Sequence, residues 1–153
     1  MTSDHGLWGH SAGVEAVRNV LWSWMSLPDS SRDEREFDRL ALALFRWQAH
    51  HNEVYGEFVR LMGVESSAVN AVDDIPFMPV ELFKSRKVKS MSWPTDHIFR
   101  SSGTSATVSR SAHHLDAAGG AWYRKVAALA WSSVWNTNVS GHDWLGLLPG
   151  YVG

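Results

Sequence analysis

The sequence predicts an α/β chain, a helical N-terminal section followed by the start of a strand-bearing layer. Three observations carry that expectation. Apolar residues recur at three- and four-residue steps through the first part of the chain. From Ile75 onward, prolines and short β-prone runs replace that spacing. One further stretch of helical spacing then precedes the apolar run "DWLGLLPGYV" at the end. Helices first, then strand, loop, strand, helix and strand is the pattern of a helical section joined to an α/β layer.

The elements follow in order. Val14, Val17, Leu21 and Trp24 form one stripe of an amphipathic helix over residues 11–25, and Pro28 ends it. A second helix is expected to open at Ser31, where Ser31, Arg32, Asp33 and Glu34 have the form of a capping box. Its apolar face is Phe37, Leu40, Leu44 and Trp47. Arg32, Arg35, Glu36 and Arg39 form a solvated charged face opposite. A third, shorter helix over residues 52–62 carries Tyr55, Phe58 and Met62 on one side, with Gly63 as its cap. The stretch through Asp73 and Asp74 is a polar connection.

In "IPFMPVELFKSRKVKS" the two prolines pin Phe77 and Met78 in extended conformation, and Pro79 opens a short helical turn through Phe83. Three short strands are expected in "KVKS", "HIFRSS" and "TVSRSAHH". A helix over residues 117–135 aligns Trp122, Val126 and Leu129, and "DWLGLLPGYV" reads as a buried strand running into a Pro-Gly turn. An apolar strand at the very end, with no closing helix, leaves an edge in need of a neighbour. The chain therefore reads as truncated, the N-terminal part of something longer. The alternative is a small domain whose last strand is an edge.

Composition removes several function classes. At 153 residues, with 44% hydrophobic and 20% charged, the chain can bury a core unaided. A formal net charge of -2 gives no basic field for nucleic acid. No apolar run approaches the length of a membrane span, and the N-terminus has no basic segment leading into an apolar one. There are no cysteines, hence no disulfide, thiolate metal site or cysteine nucleophile, which fits a cytoplasmic protein. The nine tryptophans, most of them in helical stretches, are first of all packing mass.

Ser101, Ser102, Gly103, Thr104 and Ser105 form the segment with the clearest chemical content. A run of hydroxyls around a glycine between two strands offers backbone N–H groups and rotatable O–H donors to an anion, as a phosphate requires. Arg100 and Arg110 flank the run and can add charge-assisted bonds. It is neither a Walker loop nor a dinucleotide fingerprint. On composition alone, a simple turn is the commoner use of such residues.

The wider pattern resembles a known family. "RSSGTSATVSR" is similar to the phosphate loop of adenylate-forming enzymes, S-S/T-G-T-T-G followed by a basic residue. "IPFMPVELFKSRKV", "FRSSGTSATVSRSAHH" and "GLLPGYV" match, in order and spacing, segments of the LuxE-type acyl-protein synthetases. "HNEVYGEFVRLMGV" resembles the segment just upstream, so the likeness covers residues 50–153. It implies the beginning of an adenylate-forming-type α/β layer, with a helical section over residues 1–72 and a partial nucleotide-binding domain over residues 73–153. It also implies the family's chemistry: ATP and a fatty acid yield an acyl-adenylate, and the acyl group passes to a protein thiol for reduction. The implied cofactors are ATP and Mg, and the implied partners are a fatty or other carboxylic acid and an acyl-accepting reductase.

On that likeness the loop at residues 101–106 holds the ATP phosphates through Ser101, Ser102, Gly103, Thr104 and Ser105, with Arg110 at the family's basic position. No catalytic residue is assigned. Ala106 replaces the family's last loop glycine, "LPSYLE" reads "LPGYVG" here, and no cysteine is present to take an acyl group. The family's adenine- and ribose-binding segments and catalytic lysine fall downstream of Gly153. The alternative is therefore a truncated or degenerate, non-catalytic relative that binds nucleotide weakly or serves as an interaction module.

The pairs His50-His51 and His113-His114 lack a third ligand at fixed spacing, so no metal site is expected. Lys84, Arg86, Lys87 and Lys89 form a charge run that is either solvated or attracts an anion. Lys84 stands at the family's "FK" position. His113 is open to a substrate contact or simple packing.

Overall fold

The computed structural model describes residues 12–101 and 110–135. Residues 1–120 form one compact unit and residues 121–153 a second. The first opens with helix α1 (Val14–Met25), a 3-10 turn at Asp29–Ser31, and helices α2 (Glu34–His51) and α3 (Glu53–Leu61). A second 3-10 turn at Val72–Asp74 and the one-turn helix α4 (Leu82–Ser85) lead to strands β1 (His97–Arg100) and β2 (Ala112–Leu115). Helix α5 (Ala117–Trp135) follows. The order of a helical section and then strand, loop, strand and helix is as expected. Among the described residues the strand section is a single antiparallel pair.

The helical section is organised by α2, which buries two faces. One face places Leu40, Ala43 and Trp47 with Val17 of α1, and Val14, Val20, Leu21 and Trp24 pack around them. Trp47 also donates its indole N–H to the Ala12 carbonyl at 2.9 Å. The other face gives Phe45 to a cluster with Tyr55, Val59 and Val69, closed by Phe58, Val64, Ile75 and Met78. The Tyr55 hydroxyl donates to the Pro76 carbonyl at 2.8 Å, which fixes the start of the proline-rich segment. Burial without a charged partner raises the Tyr55 pKa.

Helix α2 starts three residues later than the capping-box reading places it. Asp33 is the N-cap, accepting from the Arg35 N–H at 3.1 Å, and Ser31 belongs to the 3-10 turn before it. The difference has a cause in Arg32. Its guanidinium turns back to donate to the Met25 and Leu27 carbonyls at 2.6 and 3.1 Å, satisfying open acceptors at the end of α1. It also lies 5.6 Å from the Trp24 ring centre. Arg32 is thus a cap for α1, not part of the solvated face of α2.

Asn52 separates α2 from α3. Extended at φ -110° and ψ 105°, it ends the first helix and caps the second, accepting from the Tyr55 N–H at 3.1 Å. The helices approach closely there, because a Cβ on Gly56 would come within 2.4 Å of the Ala49 carbonyl oxygen. At the far end Gly63, at φ 71°, closes α3 as expected. Its N–H reaches the Arg60 carbonyl and the Val64 N–H reaches Val59, the paired bonds of a Schellman cap.

The expected strand in "KVKS" reduces to one bridge between Asn52 and Ser90. Met91 ends the pairing by adopting φ 66°, a conformation rare for a side-chain-bearing residue, while its N–H donates to the His51 carbonyl at 2.7 Å. In α5, Trp122, Val126 and Leu129 are less exposed than most of their neighbours, as their alignment predicts, and Trp131 stacks on Trp135 at 5.5 Å. The expected terminal strand "DWLGLLPGYV" lies outside the described residues.

Candidate functional site

Strands β1 and β2 are the two sides of a hairpin whose tip is the hydroxyl-rich segment. They pair antiparallel in the register His97–Leu115, Ile98–His114, Phe99–His113 and Arg100–Ala112. The pairing continues one step beyond the strands. Ser101 donates its N–H to the Ser111 carbonyl at 3.1 Å, and the Ser101 hydroxyl oxygen accepts the Ser111 N–H at the same distance. Ser111 is buried, whereas Ser101 and Arg110 are exposed. Of the residues assigned to phosphate, Ser101 and Arg110 therefore stand at the two ends of the loop, with Ser101 also closing the hairpin. Its O–H hydrogen remains available to donate. Ser102, Gly103, Thr104 and Ser105 lie outside the described residues.

Cross-strand partners share a face, so the register divides the hairpin into two chemically different sides. One carries Phe99 and His113. The His113 ring stacks on Phe83 of α4 at 4.6 Å, which docks the short helix bearing Lys84 against β2. This contact gives His113 a packing role. The other side carries Ile98, Arg100 and His114, with the Thr95 hydroxyl 3.3 Å from His114 Nδ1. His114 titrates below the usual histidine value, first because of burial and then because Lys87, Lys89, Arg100 and His113 place positive charge nearby.

The base of the hairpin is tied to the helical section. Asp116, directly after β2, accepts from Arg18 of α1 at 3.0 Å and from the Gly119 N–H at 2.7 Å. Partial burial opposes ionisation of this carboxylate. The Arg18 and Gly119 hydrogen bonds and the Arg18 charge overcome that penalty and hold its pKa below the ordinary value. Glycine is needed at 119, where a Cβ would stand 2.6 Å from Asp116 Oδ1 and 2.8 Å from Arg18 Nη2. Beside this tie, Pro94, Thr95, Asp96, Asp116, Ala117 and Ala118 line an open recess of about 310 Å³.

The basic run after α4 divides in the fold. Arg86 pairs with Glu57 of α3 at 2.7 Å. Lys89 donates to the Trp93 carbonyl, and its ammonium lies 3.8 Å from the Trp93 ring centre. Lys87 is exposed. Asp73 and Asp74 sit in the 3-10 turn at Val72–Asp74, a turn role as expected. Among the described residues no group of three or more histidines, cysteines or carboxylates is placed to hold a metal ion, and no helix is long and apolar enough to cross a membrane.

Sequence reasoning singled out the hydroxyl-rich segment, its flanking arginines and the basic run. It missed the partners that fix the hairpin: Thr95 on His114, Phe83 on His113, and Arg18 on Asp116. The first two were partly readable, because adjacent residues on a strand point to opposite faces. The third joins residues 98 positions apart, and no local signal announces it.

A hydroxyl-rich segment between two paired strands, with Arg100 and Arg110 at its ends, is suited to an anion. The family model for the acyl-protein synthetase, LuxE, matches residues 20–124, from the second turn of α1 through the hairpin and into α5. The chain belongs to that family. Neither the curated proteins nor the solved structures returned a match.

Proposed function

We propose that the chain takes part in ATP-dependent activation of a fatty or other carboxylic acid, forming an acyl-adenylate whose acyl group passes to a protein thiol. The observation that carries the reading is the family match running across the hairpin whose tip is "SSGTS". Ser101, Ser102, Gly103, Thr104 and Ser105 hold the ATP phosphates, and Arg110 adds a charge-assisted bond at the loop's end. Adenylate formation concentrates negative charge on the α-phosphate and the departing pyrophosphate, and fixed donors at that point stabilise the transition state. Arg100 and Arg110 at the loop's ends suit an anionic ligand. Magnesium would enter with the nucleotide, held by phosphate oxygens, since the described residues offer no cluster of their own for it.

On this reading the hairpin is the first part of an adenylate-forming-type layer over residues 73–153, and residues 1–72 are its helical support. The acyl group passes to a protein thiol, with an acyl-accepting reductase as partner; the 153 residues themselves contain no cysteine. The setting is cytoplasmic.

The test is acid-dependent pyrophosphate release from ATP, with Gly103→Val as the variant. A side chain at the loop's only glycine restricts the backbone and blocks close approach of phosphate. In an enzyme that carries this segment together with the downstream ones, the expected outcome is activity with the native loop and its abolition in the variant, with an unchanged melting temperature. Retained adenylate formation in a folded Gly103→Val protein would sink the assignment of the loop. Nucleotide binding without pyrophosphate release in the native chain would make the protein a binding module.

A further inference from the structure

Thr95 precedes β1 by two residues and lines the open recess of about 310 Å³ at the base of the hairpin. Its hydroxyl lies 3.3 Å from Nδ1 of His114 on β2, 19 positions away in the chain. For Nδ1 to accept that O–H, the ring carries its own hydrogen on Nε2 and is uncharged. A hydroxyl bonded to a neutral imidazole is the pairing that makes an alcohol nucleophilic, because the ring takes the proton as the oxygen attacks. Such pairs are commonly somewhat long before substrate binds.

The surroundings keep His114 in the form a base requires. Burial, and then the positive charge of Lys87, Lys89, Arg100 of β1 and His113 on its own strand, hold its pKa below the ordinary histidine value. The carboxylates that line the recess are each taken by a basic side chain: Asp96 by His97 at 2.9 Å, and Asp116 by Arg18 at 3.0 Å. Pro94, Ala117 and Ala118 complete the wall. Ala117 and Ala118 open α5, so their N–H groups have no acceptor within the helix, while Asp116 takes those of Gly119 and Gly120. An apolar wall with two carboxylates favours an uncharged acyl group over an anionic one.

We propose that Thr95 and His114 form a second reactive site, at the base of the hairpin, in which Thr95 is acylated by a small uncharged carboxylic ester. The Thr95 oxygen bonds to the ester carbonyl carbon while His114 Nδ1 takes the hydroxyl proton. The ester's C–O bond then breaks, and the departing oxygen receives that proton and leaves as the alcohol. Water attacks the Thr95 ester in the same way, with His114 again moving the proton, and the carboxylic acid is released. The site uses residues outside the hydroxyl-rich segment and does not depend on the nucleotide reading.

The experiment mixes the full chain with p-nitrophenyl acetate and follows nitrophenolate release from about pH 5 to about pH 8. Acetyl groups on the protein are located by mass spectrometry of its peptides. Native protein, Thr95→Val, Thr95→Ser and His114→Gln are compared, each with its melting temperature, beside native chain unfolded in urea. Native protein should carry acetyl on Thr95 and release nitrophenolate faster than the unfolded chain. Its rate should rise with pH to a plateau and be half-maximal below 6.5, the ordinary histidine value. Thr95→Val should fall to the unfolded-chain rate and Thr95→Ser should keep the activity. His114→Gln should lose about a hundredfold together with the pH step, which a merely structural bond to Thr95 would not move.

Acetyl on Thr95 of folded native protein, lost with His114→Gln, would support the site. Acetyl confined to lysines or histidine rings would overturn the proposal. So would native-like release by folded Thr95→Val, or release by native protein no faster than by the unfolded chain. If Thr95→Val does not fold, Thr95→Ser and the position of the acetyl group in native protein decide the matter. None of these outcomes bears on ATP binding, so the loop reading stands or falls separately.

Discussion

The helical section and the hairpin are stabilised in opposite ways. In α2 the residues Leu40, Ala43, Phe45 and Trp47 are all buried, and the helix feeds two apolar clusters. Strand β1 is exposed along its whole length, with Ile98 and Phe99 respectively 44% and 51% accessible. An isolated two-stranded hairpin is marginal in water. This one is held instead by discrete ties: Ser101 to Ser111 at the tip, Phe83 on His113 at one side, Thr95 on His114 at the other, and Arg18 on Asp116 at the base. Stability therefore resides mainly in the helices, and the groups suited to binding an anion stand on a lightly built projection. Changes to one should be separable from changes to the other.

The largest expected break is in the core. Phe45 is 2% accessible and sits edge-on to Tyr55 at 6.1 Å. Phe45→Ala should cost about 3–5 kcal/mol in urea denaturation, through lost transfer energy and the cavity left behind. By contrast the loop variant Gly103→Val should leave that midpoint in place. A core variant that leaves stability intact would dissolve the contrast between the two regions.

A smaller effect is expected where the regions meet. Arg18 and Asp116 are partly shielded, with side chains 16% and 27% accessible, and Arg18→Met should cost about 1 kcal/mol near neutral pH. The sign with pH follows from Asp116, whose pKa in the folded protein lies below its ordinary 3.8. The unfolded chain takes up that proton first, so the stabilisation is complete above 3.8 and is lost as pH falls through the lower, folded value. The gap between native protein and Arg18→Met should therefore close in strong acid. Urea midpoints for the two proteins across this range check it, and a gap that persists or widens in acid would show that the pair is not its source.

How much of this was legible in the sequence depends on the range over which each feature is determined. The stripe Val14, Val17, Leu21, Trp24 read correctly, as did Leu40, Leu44 and Trp47 of the second, because burial on one side of a helix imposes its own period, whereas Phe37 at the start of that second stripe is 47% accessible. Gly63 read correctly because the left-handed cap needs it. The start of α2 did not, since Ser31 and Asp33 are both good N-caps and the choice is made by Arg32 reaching back to α1. The strand in "KVKS" failed for a similar reason: its alternation is real, but Met91 is turned away by its bond to His51. The flanking arginines of the loop were readable, whereas the shared face of Arg100 and His114 needed the hairpin register.

The central claim, that the hairpin tip holds nucleotide phosphates, is tested most directly by ATP-Mg calorimetry on the 153-residue chain beside Ser102→Ala/Thr104→Ala. The account predicts a binding isotherm for the native chain that the variant loses while keeping its melting temperature. Equal binding by a folded variant, or none by a folded native chain, would contradict it.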